Sequence, residues 1–232
     1  MVQSARVVSE RFSTNERLKD AGILYVFQVF QPAQLRQKIR RQPQTIDSAV
    51  TYGGIRMFFF FTNPILIAAA IIPAIFLLVH VYRADKLEKE PAPLLISLVL
   101  YGIAATFIAL VLERLGSWIL GQYFEENSTI YNAIMYFGVV AFSEEGAKYF
   151  LLRRRTWNSA AFNCQFDGVV YAAFVSLGFA LWENISYVLM YGFTTAIVRA
   201  LTAVPGHACF GVFMGVWYGL AKRLHGQGRD GA

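Results

Sequence analysis

The sequence predicts an all-α, polytopic transmembrane helical bundle of about five spans, or six if one shorter apolar segment also crosses. Three observations predict it. Of the 232 residues, 56% are hydrophobic and 16% charged, and the mean hydropathy is +0.44. These values lie on the apolar side of a soluble domain. The apolar residues also come in blocks of about 20 or more, the length that crosses about 30 Å of hydrocarbon at 1.5 Å per residue. The alternating ten-residue segments of a β-barrel are absent from the chain.

Residues 1–57 are mixed and basic and read as an N-terminal arm, soluble or interfacial. Within it residues 21–30 are apolar but too short to span, and residues 31–44 are polar and basic. The first 20 residues lack the apolar core of a signal peptide, so the first span is expected to direct insertion. Residues 58–222 form the transmembrane domain, and residues 223–232 a cytoplasmic tail.

The first span covers residues 58–82, with Pro64 and Pro73 as tolerated kinks. A polar hinge follows at 83–93. The second span covers 94–120, tilted or ending near Glu113 and Arg114, and a short acidic loop follows at 122–128. The third covers 129–152 and runs straight into Arg153, Arg154 and Arg155. The fourth covers 167–191. Residues 192–204, which carry Arg199, read as a short or re-entrant helix and are one candidate for a sixth span. The fifth covers 205–220, with Pro205 suited to a helix start.

Basic residues set the orientation. Arg83, Lys86 and Lys89, then Arg153 to Arg155, then Lys222 and Arg223 fall on one side of a five-span chain, which makes that side cytoplasmic. The N-terminal arm would then lie outside although it carries nine Lys and Arg, so its side stays open. The net charge of +6 reflects this topology and contact with anionic lipid, not nucleic-acid binding. Cys164 and Cys209 show neither disulfide nor metal-ligand spacing.

The chemistry concentrates in the third span, where Glu144, Glu145 and Lys148 interrupt an apolar run. Each charge at mid-membrane costs about 2.5–3.5 kcal/mol on insertion scales, so such groups are functional candidates. Lys148 lies three and four residues from the two acids and can reach either on one helix side. One carboxylate can pair with it while the other stays available as a base. A structural ion pair holding helices together is the competing account.

The fourth span holds Glu183 with no sequence-local cation; Asn184 and Tyr187 are placed to hydrogen-bond it, and plain interhelical bonding competes. The fifth span starts with His207 and carries Gly211, Gly215 and Gly219 at spacing four, a stripe that admits close packing of a neighbouring helix. A lone His at a helix start is commonly a cap or an interface residue. Yet two carboxylates, a third carboxylate and an imidazole on three spans can together activate a water, directly or through a metal. That set suits proteolysis within the membrane. An ion-coupled transporter or a non-catalytic scaffold uses similar buried groups.

Taken in order, Glu144-Glu145-x-x-Lys148, Phe179-x-x-x-Glu183-Asn184, and His207 within residues 199–208 resemble the motifs of the PrsW family of intramembrane endopeptidases, distant relatives of the CAAX-processing membrane proteases. Asp85-x-x-Glu88-x-Glu90-Pro91 and Asp167-Gly168-x-x-Tyr171 add to the resemblance, which covers about residues 80–222. It implies a glutamate-dependent, multi-pass protease of the cell membrane that cuts membrane-anchored protein substrates, with site-1 cleavage of an anti-sigma factor the best-known role. It also implies Glu144, Glu145 and His207 as essential residues and Glu183 as the second-motif acid; Lys148, within reach of both paired acids, is assigned to positioning and charge compensation. The family is usually classed as metalloprotease. The metal expected is a divalent ion such as Zn2+, held by Glu145, Glu183 and His207. One tension remains in the spacing. Glu144 lies about 13 Å along its helix from Arg153, and Glu183 about 24 Å from Asp167. Either the fourth span begins outside the hydrocarbon, or tilt brings the two acids level, or Glu183 is not in the site; the first is preferred, because residues 166–168 suit an interfacial start.

Overall fold

The computed structural model describes residues 63–85, 89–126 and 128–228. The N-terminal arm, the start of the first span, Lys86 and Glu88 in the hinge, and the end of the tail lie outside the described residues. Every element among the described residues is helical. Helix α1 is Pro64–Ala84 and α2 is Ala92–Tyr123. A short α3, Thr129–Ala133, passes through a π-helical segment, Ile134–Val140, into α4, Ala141–Thr156. Helix α5 is Gln165–Tyr191, α6 is Phe193–Leu201 and α7 is Ala203–Gly226.

By length and composition α1, α2, α5 and the α6–α7 stretch are apolar enough to cross a membrane. The continuous helical run from α3 to α4 makes a fifth long rod, whose charge cluster keeps it out of that set. The all-α membrane bundle is therefore the fold. One of the two alternatives for the second span is excluded: α2 does not end near Glu113. It continues to Tyr123, and Glu113 is 2% exposed. A Glu-Arg pair in an apolar run reads as an exit to water, but here the acid is covered by neighbouring helices. Helix α7 likewise runs to Gly226, past the expected end of the last span.

The sequence places small residues where helices must touch. On α7, Gly211 packs on Ser176, Gly215 on Gly168 and Val169, and Gly219 on Gln165. The two helices are thus antiparallel and in close backbone contact, the packing that the spacing-four stripe predicts. On α2, Gly102 meets Gly178 and Phe179, Ala105 and Ala109 join Ala147, Leu151 and Phe179, and Gly116 meets Val139. Helix α5 lies between α2 and α7 and is the most buried of the spans.

One end of the bundle is tied by polar contacts. Asp167 Oδ2 accepts from the backbone N–H groups of Asn163 and Cys164 and so caps α5. Tyr171 donates to Glu90 Oε2 at 2.6 Å, pinning the hinge before α2 to α5. Arg155 donates to Ser97 Oγ, and Lys222 to the Trp157 carbonyl. Basic groups from the end of α4 and the end of α7 thus lie at the end of the bundle where α2 begins.

Candidate active site

Helix α4 presents Glu144, Glu145 and Lys148 on one side because residues three and four apart stack on a helix. The Lys148 side chain is completely buried. Its Nζ donates to Glu145 Oε1 at 2.7 Å, to Glu144 Oε2 at 3.4 Å and to His207 Nδ1 at 3.0 Å. It also lies 4.0 Å above the centre of the Phe179 ring. An ammonium has three hydrogens, and three acceptors meet them.

His207, on the first turns of α7, rests against Phe179 and turns its other nitrogen to α5. Nε2 lies 2.8 Å from Glu183 Oε2. The same oxygen accepts from Arg199 Nη2 at 2.7 Å, and Arg199 Nε donates to Asn184 Oδ1 at 3.1 Å. Asn184 Nδ2 in turn donates to the Ala70 carbonyl of α1 at 2.7 Å. The Arg199 guanidinium stacks 4.0 Å from the Tyr187 ring. Four helices and α6 therefore build one continuous polar chain inside an apolar bundle.

All five residues expected at the site are brought together: Glu144, Glu145, Lys148, Glu183 and His207. The spacing tension resolves through side-chain direction. Gln165 sits beside Gly219, 12 residues or about 18 Å along α7 from His207, while Glu183 is about 27 Å up α5. Side chains lean toward their own helix N-terminus, so on these antiparallel helices His207 and Glu183 lean toward one another. Lys148, on α4, leans the same way as His207.

One role differs from expectation, and one partner is added from further along the chain. Asn184 does not bond Glu183; it accepts from Arg199 and reaches α1. Glu183 does have a cation, Arg199, 16 residues along the chain. Sequence reasoning gave Arg199 no role, because the contact depends on the turn at Gly192. There φ is +81°, a left-handed conformation that favours glycine and folds α6 back beside α5.

The donor atoms that converge closely enough to hold a metal are those of Glu144, Glu145 and His207, all within 4.8 Å of one another. Two carboxylates and an imidazole are an ordinary donor set for Zn2+. Glu145 Oε2 is buried without a hydrogen-bonding partner among the described residues, so one donor stands ready. The Lys148 ammonium occupies the middle of this set, bonded to all three.

A family profile described as PrsW family intramembrane metalloprotease matches residues 90–232. Among curated relatives, Protease PrsW of Geobacillus kaustophilus is 36% identical over 157 residues, covering 68% of this chain and 67% of the relative. Protease PrsW of Bacillus subtilis is 34% identical over 159 residues, covering 68% and 69%. Protease PrsW of Clostridioides difficile is 31% identical over 157 residues, covering 66% and 64%. No solved structure matches the chain.

Proposed function

This chain belongs to the PrsW family of intramembrane proteases, and from that premise we propose that it is a glutamate-dependent endopeptidase of the cell membrane acting through Glu144, Glu145, Glu183 and His207. The observation that carries the assignment of residues is the convergence of three carboxylates, one imidazole and one ammonium, from three long helices, in the interior of an apolar bundle. Such groups are costly in a membrane and are kept for chemistry or transport.

Glu145 is the proposed base. One of its oxygens is held by Lys148 and the other has no partner among the described residues, so that oxygen can take the proton of an attacking water. Glu144 and Lys148 steady the charge around it. Glu183, itself clamped by Arg199, fixes the His207 ring, whose Nδ1 faces the same space. A divalent cation, Zn2+ first among candidates, would be held by Glu144, Glu145 and His207 in place of the Lys148 ammonium, with Glu183 behind the imidazole as its outer partner. Such an ion would polarise the substrate carbonyl and lower the pKa of a bound water.

The substrates proposed are membrane-anchored proteins, and a single-span anti-sigma factor of bacterial stress signalling is the first to try. The test is cleavage of a tagged single-span substrate by the purified full chain in liposomes, with metal content measured in the same preparation. Cleavage that disappears in Glu145→Gln and His207→Ala, both still folded, supports the reading. A wild-type protein that binds such substrates and cuts none is a scaffold instead, and one that moves ions without cutting is a transporter. Cleavage that survives chelation, in protein without bound metal, removes the ion and leaves the glutamate chemistry.

A further inference from the structure

We propose that Glu113 of α2 is a fourth carboxyl group of this site and hydrogen-bonds the peptide backbone of the bound substrate. The inference rests on the endopeptidase reading. It starts from an anomaly: Glu113 lies inside a 32-residue helix, 2% exposed, and its Oε1 is buried without a partner among the described residues. Leaving a buried polar atom unpaired costs about 1–3 kcal/mol, more when the group is charged. Such an atom calls for an explanation in chemistry or in an occupant.

Packing says where the carboxyl points. One turn earlier Ala109 packs with Ala147, Leu151 and Phe179, and three residues later Gly116 meets Val139. Glu113 falls between them, facing the stretch from Val140 to Lys148 that carries the two catalytic-type acids. Its charge is felt by Glu144, Glu183 and Lys148. The same face of α2 otherwise carries Gly102, Ala105, Ala109 and Gly116. Small residues bring the helices together there, and one long acid is set among them. An ion pair would explain an acid at this place, but Lys148 already gives its three hydrogens to Glu144, Glu145 and His207, and Arg199 is turned to Glu183 and Asn184.

Two carboxyl oxygens are thus buried without a partner among the described residues of α2 and α4, Glu113 Oε1 and Glu145 Oε2. A substrate strand admitted beside α4 offers N–H groups along its edge that such an acceptor can take. Glu145 serves the water; Glu113 holds the chain being cut.

The test uses the full chain in nanodiscs. Glu113→Leu keeps the volume and removes both oxygens, and Glu113→Gln keeps one acceptor and adds a donor. The expected result is a fall in kcat/KM of at least about tenfold in Glu113→Leu, carried mainly by KM, with an unchanged or raised unfolding temperature, and recovery to within about threefold in Glu113→Gln. Glu113→Leu activity within twofold of wild type overturns the proposal. Should the leucine variant not fold, infrared difference spectra decide. In a Glu145→Gln background, which binds without cutting, adding substrate peptide shifts a carboxyl band that is missing when Glu113→Gln is added. An unshifted band, in a wild-type protein that cuts, defeats the Glu113 contact alone. A shifted band in a wild-type protein that cuts nothing defeats the endopeptidase reading and leaves the contact standing.

Discussion

The Lys148 ammonium lies 3.0 Å from Nδ1 of His207, and this contact decides which ring nitrogen carries the hydrogen. An ammonium only donates, so Nδ1 must accept. Nε2 then carries the hydrogen and donates it to Glu183 Oε2 at 2.8 Å. Lysine and glutamate, on opposite sides of the ring, select one tautomer without any contact between them. Nitrogen NMR of labelled His207 should show an acceptor-type Nδ1 and a protonated Nε2. In Lys148→Met the preference should weaken, because Nδ1 loses its donor.

The same substitution should be costly to the fold. Removing one partner of a buried ion pair leaves the other charge uncompensated, at about 3–5 kcal/mol. Lys148 is fully buried between two acids, so Lys148→Met should lower stability by about that much. Adding Glu145→Gln should recover part of the loss, because it deletes the stranded charge. Chemical unfolding in detergent measures both. Equal stability of Lys148→Met and wild type would show that the cluster does not hold the helices.

Arg199 offers a sharper test, because its guanidinium makes two directed bonds, Nη2 to Glu183 and Nε to Asn184. A lysine ammonium cannot reproduce that fork. Arg199→Lys should cost about 1–3 kcal/mol of stability. It should also lower kcat about tenfold with little change in KM, because it acts on His207 through Glu183 and not on the bound peptide. A fall in KM-dependent binding instead would place Arg199 against the substrate.

The bundle and the site differ in how readily the sequence discloses them, and the reason is range. Apolar blocks of about 20 residues are local signals, and they mark every long helix here. The Glu144-Glu145-Lys148 arrangement is likewise local, set by one helical turn. The Lys148–His207 bond joins residues 59 apart, and nothing in either segment announces the other. Arg199 was hidden for the same reason, since its partner comes only after a reversal at Gly192. At Glu113 the sequence leaves two readings open, a tilted span or one that ends there, and the structure excludes the second. Acid and base side by side suggest a helix leaving the membrane, whereas α2 continues to Tyr123 and the acid is buried.

The glycine stripe makes a prediction independent of the chemistry. A methyl group at Gly215 would lie 2.5 Å from Val169 Cα and 2.6 Å from the Gly168 oxygen, both backbone atoms that cannot move aside alone. Gly215→Ala should force α5 and α7 apart and cost about 1–3 kcal/mol or more. At Gly206 nothing lies within 4 Å of such a methyl group. Gly206→Ala should therefore be neutral or gain about 0.5–1 kcal/mol from reduced backbone freedom. Thermal unfolding of the two variants in one detergent gives the comparison, and equal effects would count against helix contact as the cause.

Glu90 should give the fold a pH dependence that can be isolated. It lies in the hinge before α2, outside the spans. Burial pushes its carboxyl from 4.5 up to about 7, against the hydrogen bond from Tyr171 and with help from nearby Asp167 and Asp85. The folded value is thus above the unfolded one, so the folded state binds the proton more tightly. The stability this contributes is fully present below about 4.5 and is lost as pH rises through about 7. Other groups titrate in the same window, so the difference between wild type and Glu90→Gln is the useful quantity. The glutamine keeps an acceptor for Tyr171 and has no charge to bury. Relative to this variant, wild type should lose stability between pH 5 and pH 8 and hold steady above. A difference that stays flat across that window would mean that Glu90 is solvated and the hinge is not pinned to α5 through Tyr171.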